Sequence, residues 1–240
     1  MTRVNLDTSL RLFVPDSLTA GADLTLPSAQ ARYLTAVMRR AVGDLVRLFN
    51  GVDGEWGAHI ARATRDQITL RIDSPLRPQT DDGPDLVLVF ALLKRDATDL
   101  VVQKATELGV RAIRPVITQR TQAARVNTDR LRAIAIEAAE QSERLTIPAI
   151  HEPATLNTLL RNWDPNRRLF VALERHAAPT PSRHSTAALL VGPEGGWTEQ
   201  EVRILTACSF AMPISLGPLI LRAETAALAG LVLLQAGHPG

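Results

Sequence analysis

Leu86-Val-Leu-Val-Phe-Ala-Leu-Leu93 is apolar without a break, which a half-exposed strand is not. Such a run predicts a strand covered on both faces, as in a parallel sheet lying between two layers of helices. The residues downstream agree. Asp96 is placed to cap a helix in which Val101, Ala105 and Leu108 share a face, and Gly109 can adopt the left-handed conformation that ends it. Beyond it the pattern predicts strands over 112–118, 168–173 and 187–191, and helices over 129–144, 199–207 and 223–235. Strands alternating with helices make an α/β domain with a mostly parallel sheet.

Upstream the rhythm differs. The runs 45–49, 57–60 and 68–72 are short and read as strands, with Asn50-Gly51 and Asp53-Gly54 suited to a tight turn between the first two. A small β-barrel is the simplest product, interrupted by one helix over 28–39. The Pro, Gly and polar residues of 74–84 predict a break in regular structure. The expected organisation is therefore a first domain over 1–74, a linker over 75–84 and a second domain over 85–240.

Of 240 residues 45% are hydrophobic and 22% charged, enough apolar side chain for real cores. Twenty-seven basic residues against 25 acidic ones leave a net charge of +2, so any attraction to nucleic acid must come from where the charges lie. Cys208 is the only cysteine, which excludes an internal disulfide or a cysteine-based zinc cluster and predicts a reducing compartment. His59, His151, His176, His184 and His238 show no metal-ligand spacing, so no metal is expected. The first residues lack the apolar core of a secretory signal, and no stretch approaches the roughly 20 apolar residues of a membrane span. Together these predict a soluble cytoplasmic protein without a membrane partner.

Two stretches carry chemistry. Leu189-Leu-Val-Gly-Pro-Glu-Gly-Gly-Trp-Thr-Glu-Gln-Glu201 runs from an apolar strand through a glycine-rich loop into a helix, where Thr198 and Glu201 form a capping box. It is neither a dinucleotide fingerprint nor a Walker loop. Glycines after a parallel strand let a ligand approach the backbone, outside the carboxyl ends of the strands. Ile214-Ser-Leu-Gly-Pro-Leu-Ile-Leu-Arg-Ala-Glu-Thr-Ala-Ala-Leu228 repeats the arrangement, with Arg222 and Glu224 flanking the helix start.

Read together, Val191-Gly-Pro-Glu-Gly-Gly196 and Leu216-Gly-Pro-Leu-Ile-Leu-Arg-Ala-Glu-Thr-Ala226 resemble the paired signature of the 16S ribosomal RNA (uracil-N3)-methyltransferase family, a branch of the SPOUT superfamily. Lys94, Asp96, Gln103-Lys-Ala-Thr-Glu-Leu-Gly-Val110, Pro115, Glu137-Ala-Ala-Glu-Gln141, Arg144 and Pro148 extend the resemblance upstream. Arg11, Phe13, Val37-Met-Arg39 and Gly43-Asp44 are similar to that family's N-terminal PUA-like domain. Leu219, Ala223 and Tyr33 depart from its usual arginine, threonine and histidine.

The resemblance implies a deep C-terminal trefoil knot, S-adenosyl-L-methionine as methyl donor, and a homodimer acting on 16S ribosomal RNA in the small ribosomal subunit. It places the donor among Leu173, Glu174, Val191, Gly192, Pro193, Gly196, Leu216, Gly217 and Leu221. Methylation at N3 of uracil requires loss of the imide proton, so Arg222 is expected to stabilise charge developing on the ring, with Glu224 or Glu194 accepting the proton or orienting the arginine. For RNA contact the candidates are Arg11, Arg39, Arg40, Lys94, Lys104, Gln141 and Arg144. Two other readings stay open: a SPOUT enzyme methylating a ribose 2′-oxygen of transfer RNA, and a non-catalytic RNA-binding protein.

Overall fold

The computed structural model describes residues 9–80, 83–122, 125–173, 178–181, 184 and 186–236. They form two compact units, one of residues 9–80 with Glu140–Thr146, the other of residues 83–139 with 147–236.

In the first unit β1 (Leu10–Phe13), β2 (Asp23–Thr25), β3 (Leu45–Phe49), β4 (Glu55–Ala63) and β5 (Ile68–Arg77) pair in the order β1-β3-β4-β5-β2. The β1–β3 pair is parallel and the rest antiparallel. Alternate residues of these strands, among them Leu12, Val46, Leu48, Ile60, Leu70 and Ile72, form the core. β5 continues to Arg77, so regular structure runs four residues into the stretch whose composition predicts a break. Pro75 is tolerated because, among the described residues, that end of β5 pairs with β4 alone, across bulges, and its other edge has no ladder to donate to. The helix expected over 28–39 is shorter: α1 (Ser28–Arg32) passes into a π-helical turn over Tyr33–Val37, and Arg39 takes a positive φ of 50°.

At the centre of this unit Glu55, only 2% exposed, accepts from Arg11 Nε at 2.5 Å and Arg77 Nε at 2.9 Å. Arg11 also donates to the carbonyls of Glu140 at 3.0 Å and Arg144 at 2.8 Å, and stacks over the Phe49 ring. Phe13 N–H donates to the Glu140 carboxylate, and Arg47 to that of Glu143. These bonds capture the segment 140–146 and explain a second difference. The helix expected to reach Arg144 stops at Gln141, and Glu143 turns into the left-handed region with φ 59°.

The second unit contains β6 (Asp85–Ala91), α2 (Arg95–Glu107), β7 (Ala112–Ile117), α3 (Thr128–Gln141, its last two residues counted with the first unit), β8 (Ala149–Ile150), β9 (Ala154–Thr155), α4 (Leu156–Arg161), β10 (Arg168–Ala172), β11 (Thr186–Val191), α5 (Glu199–Ala207), β12 (Ala211–Ile214) and α6 (Ala223–Gln235). Its sheet runs β12-β10-β11-β6-β7-β8, with β9 also on β7, and every pairing is parallel. Leu86, Leu88 and Phe90 face a core shared with α2, α3 and α6, while Val87, Val89 and Ala91 face another shared with α4 and α5. That double burial is what the unbroken apolar run demands. Asp96 is not the cap of α2: Lys94 holds that position, and Asp96 lies in the first turn, where it suits the helix dipole. Gly109 ends the helix with φ 79° as expected.

α6 lies against β11 so closely that a Cβ on Gly230 would fall 2.6 Å from Leu189 Cδ2. Overpacking a full core costs about 1–3 kcal/mol, against up to about 1 kcal/mol gained from helix propensity. Gly230→Ala should therefore lower stability by about 1–2 kcal/mol in urea denaturation; an unshifted midpoint would show that Leu189 simply turns aside.

Candidate functional site

β10, β11 and β12 are parallel neighbours, with Val171 beside Leu190 and Ala172 beside Ile214. Parallel neighbours must end on the same edge, so the chain leaving Ala172, Val191 and Ile214 emerges there side by side. Hydrogen bonds join these exits. Leu173 N–H donates to Ile214 O at 3.4 Å, Ser215 N–H to Pro179 O at 3.1 Å, and the Trp197 indole N–H to Ala172 O at 3.1 Å. Gly192 sits beneath that indole, where a Cβ would lie 2.8 Å from two of its atoms. Gly196 and Gly217 have φ of 70° and 122°, and a Cβ on either would meet nothing within 4 Å. One glycine therefore permits close packing, while the other two lie beside open space.

The loop after β7 braces this edge. Glu201, 3% exposed, accepts from Gln119 N–H at 2.8 Å while closing the capping box with Thr198. Arg120 donates to Gly195 O at 2.9 Å, with its own Cβ packed against that glycine. Trp197, Gln119, Arg120 and the tertiary bond of Glu201 were not read as site features from sequence. Trp197 lies inside the quoted motif, but no spacing rule says that its indole will reach a neighbouring strand's last carbonyl.

Of the residues singled out for the donor, Leu173, Val191, Gly192, Pro193, Gly196, Leu216, Gly217 and Leu221 lie on these three exits. Glu174 lies outside the described residues. Arg222 is exposed at the cap position of α6, Glu224 is half-buried in its first turn, and Glu194 is exposed in the turn after β11. Among the described residues none of these three charges is taken up in an ion pair, so each is free to meet a ligand.

The RNA candidates divide. Arg39 and Lys94 are exposed, and Arg40 is half-buried 4.0 Å from Asp44. Arg11 is a correction: at 4% exposure, locked to Glu55 and two carbonyls, it is a structural strut rather than a phosphate ligand. Burial pulls its pKa below the ordinary value and the bond to Glu55 opposes this. Arg144 is a second correction, since it has left the helix, is 7% exposed and donates to Thr146. Gln141, the last residue of α3, is exposed. Lys104 pairs with Glu107 about 15 Å along α2 from Lys94, away from the strand exits.

The RNA methyltransferase domain family matches residues 81–235, and the RNA methyltransferase PUA domain family matches 26–73. The ribosomal RNA small subunit methyltransferase E of Rickettsia conorii is 36% identical over 228 residues, 91% of each chain. This chain belongs to the ribosomal RNA small subunit methyltransferase E family. A methyltransferase E of Neisseria gonorrhoeae, solved bound to S-adenosyl methionine, superimposes with a TM-score of 0.86 at 29% identity, covering 95% of this chain and 97% of that one. A Legionella pneumophila protein described as a methyltransferase with bound cofactor SAM gives 0.87 at 32% identity, with the same coverage. As a member of methyltransferase family E the chain is an RNA-modifying enzyme, with the α/β parallel sheet and PUA region expected from its sequence. Among its described residues no helix is long and apolar enough to cross a membrane, and no three His, Cys, Asp or Glu side chains cluster to hold a metal.

Proposed function

We propose that this chain transfers a methyl group from S-adenosyl-L-methionine to N3 of a uridine in 16S ribosomal RNA of the small ribosomal subunit, as a cytoplasmic homodimer. The observation that carries the reading is the joining of three strand exits on one sheet edge, two of them glycine-bearing, beside an arginine with no ion-pair partner among the described residues. Relatives of the same family are solved with this donor, and the chain's own residues fit it. The open space at Gly196 and Gly217 gives room, the half-buried Leu216 and Leu221 give apolar cover, and the backbone of the exits supplies donors and acceptors. Bound there, the donor supplies an electrophilic methyl group on a sulfonium.

What remains for the protein is the uracil. Its N3 proton must leave and negative charge spreads to the two carbonyl oxygens that flank N3, so Arg222 stabilises that charge while Glu224 or Glu194 takes the proton or aligns the guanidinium. Because N3 lies on the pairing edge, the uridine must be unpaired or extruded first. Leu219, Ile220 and Val232 are 77%, 59% and 51% exposed, which supports a second copy covering the segment before α6 and the outer face of that helix. The loop after β10 bonds both to Ser215 and, through His184, to Leu234, which supports a knotted passage of the C-terminal stretch.

Methyl transfer to small subunits from a strain lacking the enzyme, with the nucleoside mapped by mass spectrometry, should yield 3-methyluridine; a ribose-methylated product would overturn the assignment. Absence of donor binding in calorimetry would favour the non-catalytic reading instead. Arg222→Ala should lower kcat by about 10²–10³, the usual cost of losing one charge-stabilising donor, with donor affinity unchanged. Wild-type turnover in that variant would remove Arg222 from the chemistry.

A further inference from the structure

Away from the glycine turns the second unit holds a cavity of about 400 Å³, lined by Leu92, Leu93, Arg95, Arg125, Asn127 and Arg130 among others. It forms where the chain from β6 enters α2 and the chain from β7 enters α3, so both walls lie at carboxyl ends of the same parallel sheet. β6 is the neighbour of β11, which places this cavity on the sheet edge that carries the donor-binding exits. A single loop serves both places: its start, at Gln119 and Arg120, braces Glu201 and Gly195, and its end supplies Arg125 and Asn127.

The charges are unbalanced. Arg130 is engaged by Asp99, whereas Arg95 and Arg125 are exposed and have no acidic partner among the described residues. Among the described residues no carboxylate lines it. Leu92 and Leu93 are buried, and Thr98, spending its hydroxyl on Leu93 O at 3.0 Å, fixes that wall. Asn127 accepts from Arg130 N–H through its side-chain oxygen, leaving the amide nitrogen as a donor. Two unneutralised guanidinium groups and an amide donor around a partly apolar hollow suit a phosphate, and the volume admits a sugar with it.

We infer that this cavity holds the phosphodiester backbone of the RNA strand whose uridine is modified. The inference rests on the reading of the chain as an RNA methyltransferase, but not on which atom receives the methyl group. The same chemistry could be met by a free mononucleotide, which the test separates.

Binding of a fluorescently labelled single-stranded RNA of mixed sequence is measured against salt concentration for the full chain and for R95E/R125E, with calorimetry of S-adenosylmethionine in parallel. Each single-strand phosphate contact contributes about 0.7 to the slope of log affinity on log salt, so the double variant should be shallower by about 1.4. Affinity should fall at least about tenfold, with circular dichroism and donor affinity unchanged. R95K/R125K keeps the charge and should keep the slope; a loss in it as large as in the glutamate variant would overturn the electrostatic assignment. Unchanged RNA affinity and slope in R95E/R125E would overturn the site, and if AMP binds the wild type but not that variant, the cavity is a mononucleotide site instead. Loss of donor binding by the wild-type chain would sink the methyltransferase reading while leaving the salt result interpretable.

Discussion

Glu55→Ala should destabilise the first unit by about 3–5 kcal/mol, because it strips the counter-ion from a guanidinium that cannot reach water. Arg11 is 4% exposed and faces Glu55, the Glu140 and Arg144 carbonyls and the Phe49 ring. Carbonyl dipoles and a ring face soften a buried cation but do not neutralise it. Arg77 loses the same partner, and Arg47, 3.9 Å from Glu55, keeps Glu143. Glu55→Gln retains the shape and one acceptor and should lose less. Replacing both members, as in R11M/E55L, should recover much of the loss, since a well-packed apolar pair is often no worse than a buried ion pair. Chemical denaturation measures all three; a loss under about 1 kcal/mol for Glu55→Ala would mean that Arg11 finds solvent after all. Hydrogen exchange adds a local reading, because the Phe13 amide is held by Glu140 and should lose protection as the 140–146 segment loosens.

That network marks where sequence reasoning stops. α5 and α6 occupy the residues that their apolar periodicity and capping signals predict, since the deciding interactions lie within one turn of each helix boundary. The parallel sheet was legible for a similar reason: a strand buried on both faces has no polar residue to spare. Arg11 and Arg144 show the opposite case. Composition marks them as basic and therefore as phosphate ligands, yet Glu55 stands 44 residues from Arg11, and the carbonyls that complete its shell lie more than 120 residues away. No local pattern reports such partners, and the same distant bonds end α3 at Gln141 against its helical periodicity. The candidate site divides along this line. Its glycines and Arg222 could be named from motif and strand-to-helix position. Trp197, Arg120 and the tertiary bond of Glu201 depend on which strands become neighbours, and the order β10-β11-β6 is a property of the folded sheet.

Gly192→Ala should reduce kcat/KM by about a hundredfold. The new Cβ would sit 2.8 Å from the Trp197 indole, which is not free to swing aside because its N–H holds Ala172 O, the last residue of β10. Either that bond breaks and the exits of β10 and β11 part, or the turn over Gly192–Gly196 withdraws; both outcomes move the backbone proposed to hold the methyl donor. Misplacing reacting groups by about 1 Å is enough for a loss of this size. Gly196→Ala is the matched comparison. Its Cβ would meet no atom of the protein within 4 Å, so its cost to the fold is confined to a positive φ of 70°, about 1–2 kcal/mol of backbone strain, with one methyl group added at the border of the donor's room. Donor affinity by calorimetry and steady-state turnover should therefore fall steeply for Gly192→Ala and modestly for Gly196→Ala. Equal losses would mean that glycine is needed at 192 only for its flexibility, and an active Gly192→Ala enzyme would separate the indole clasp from the chemistry altogether.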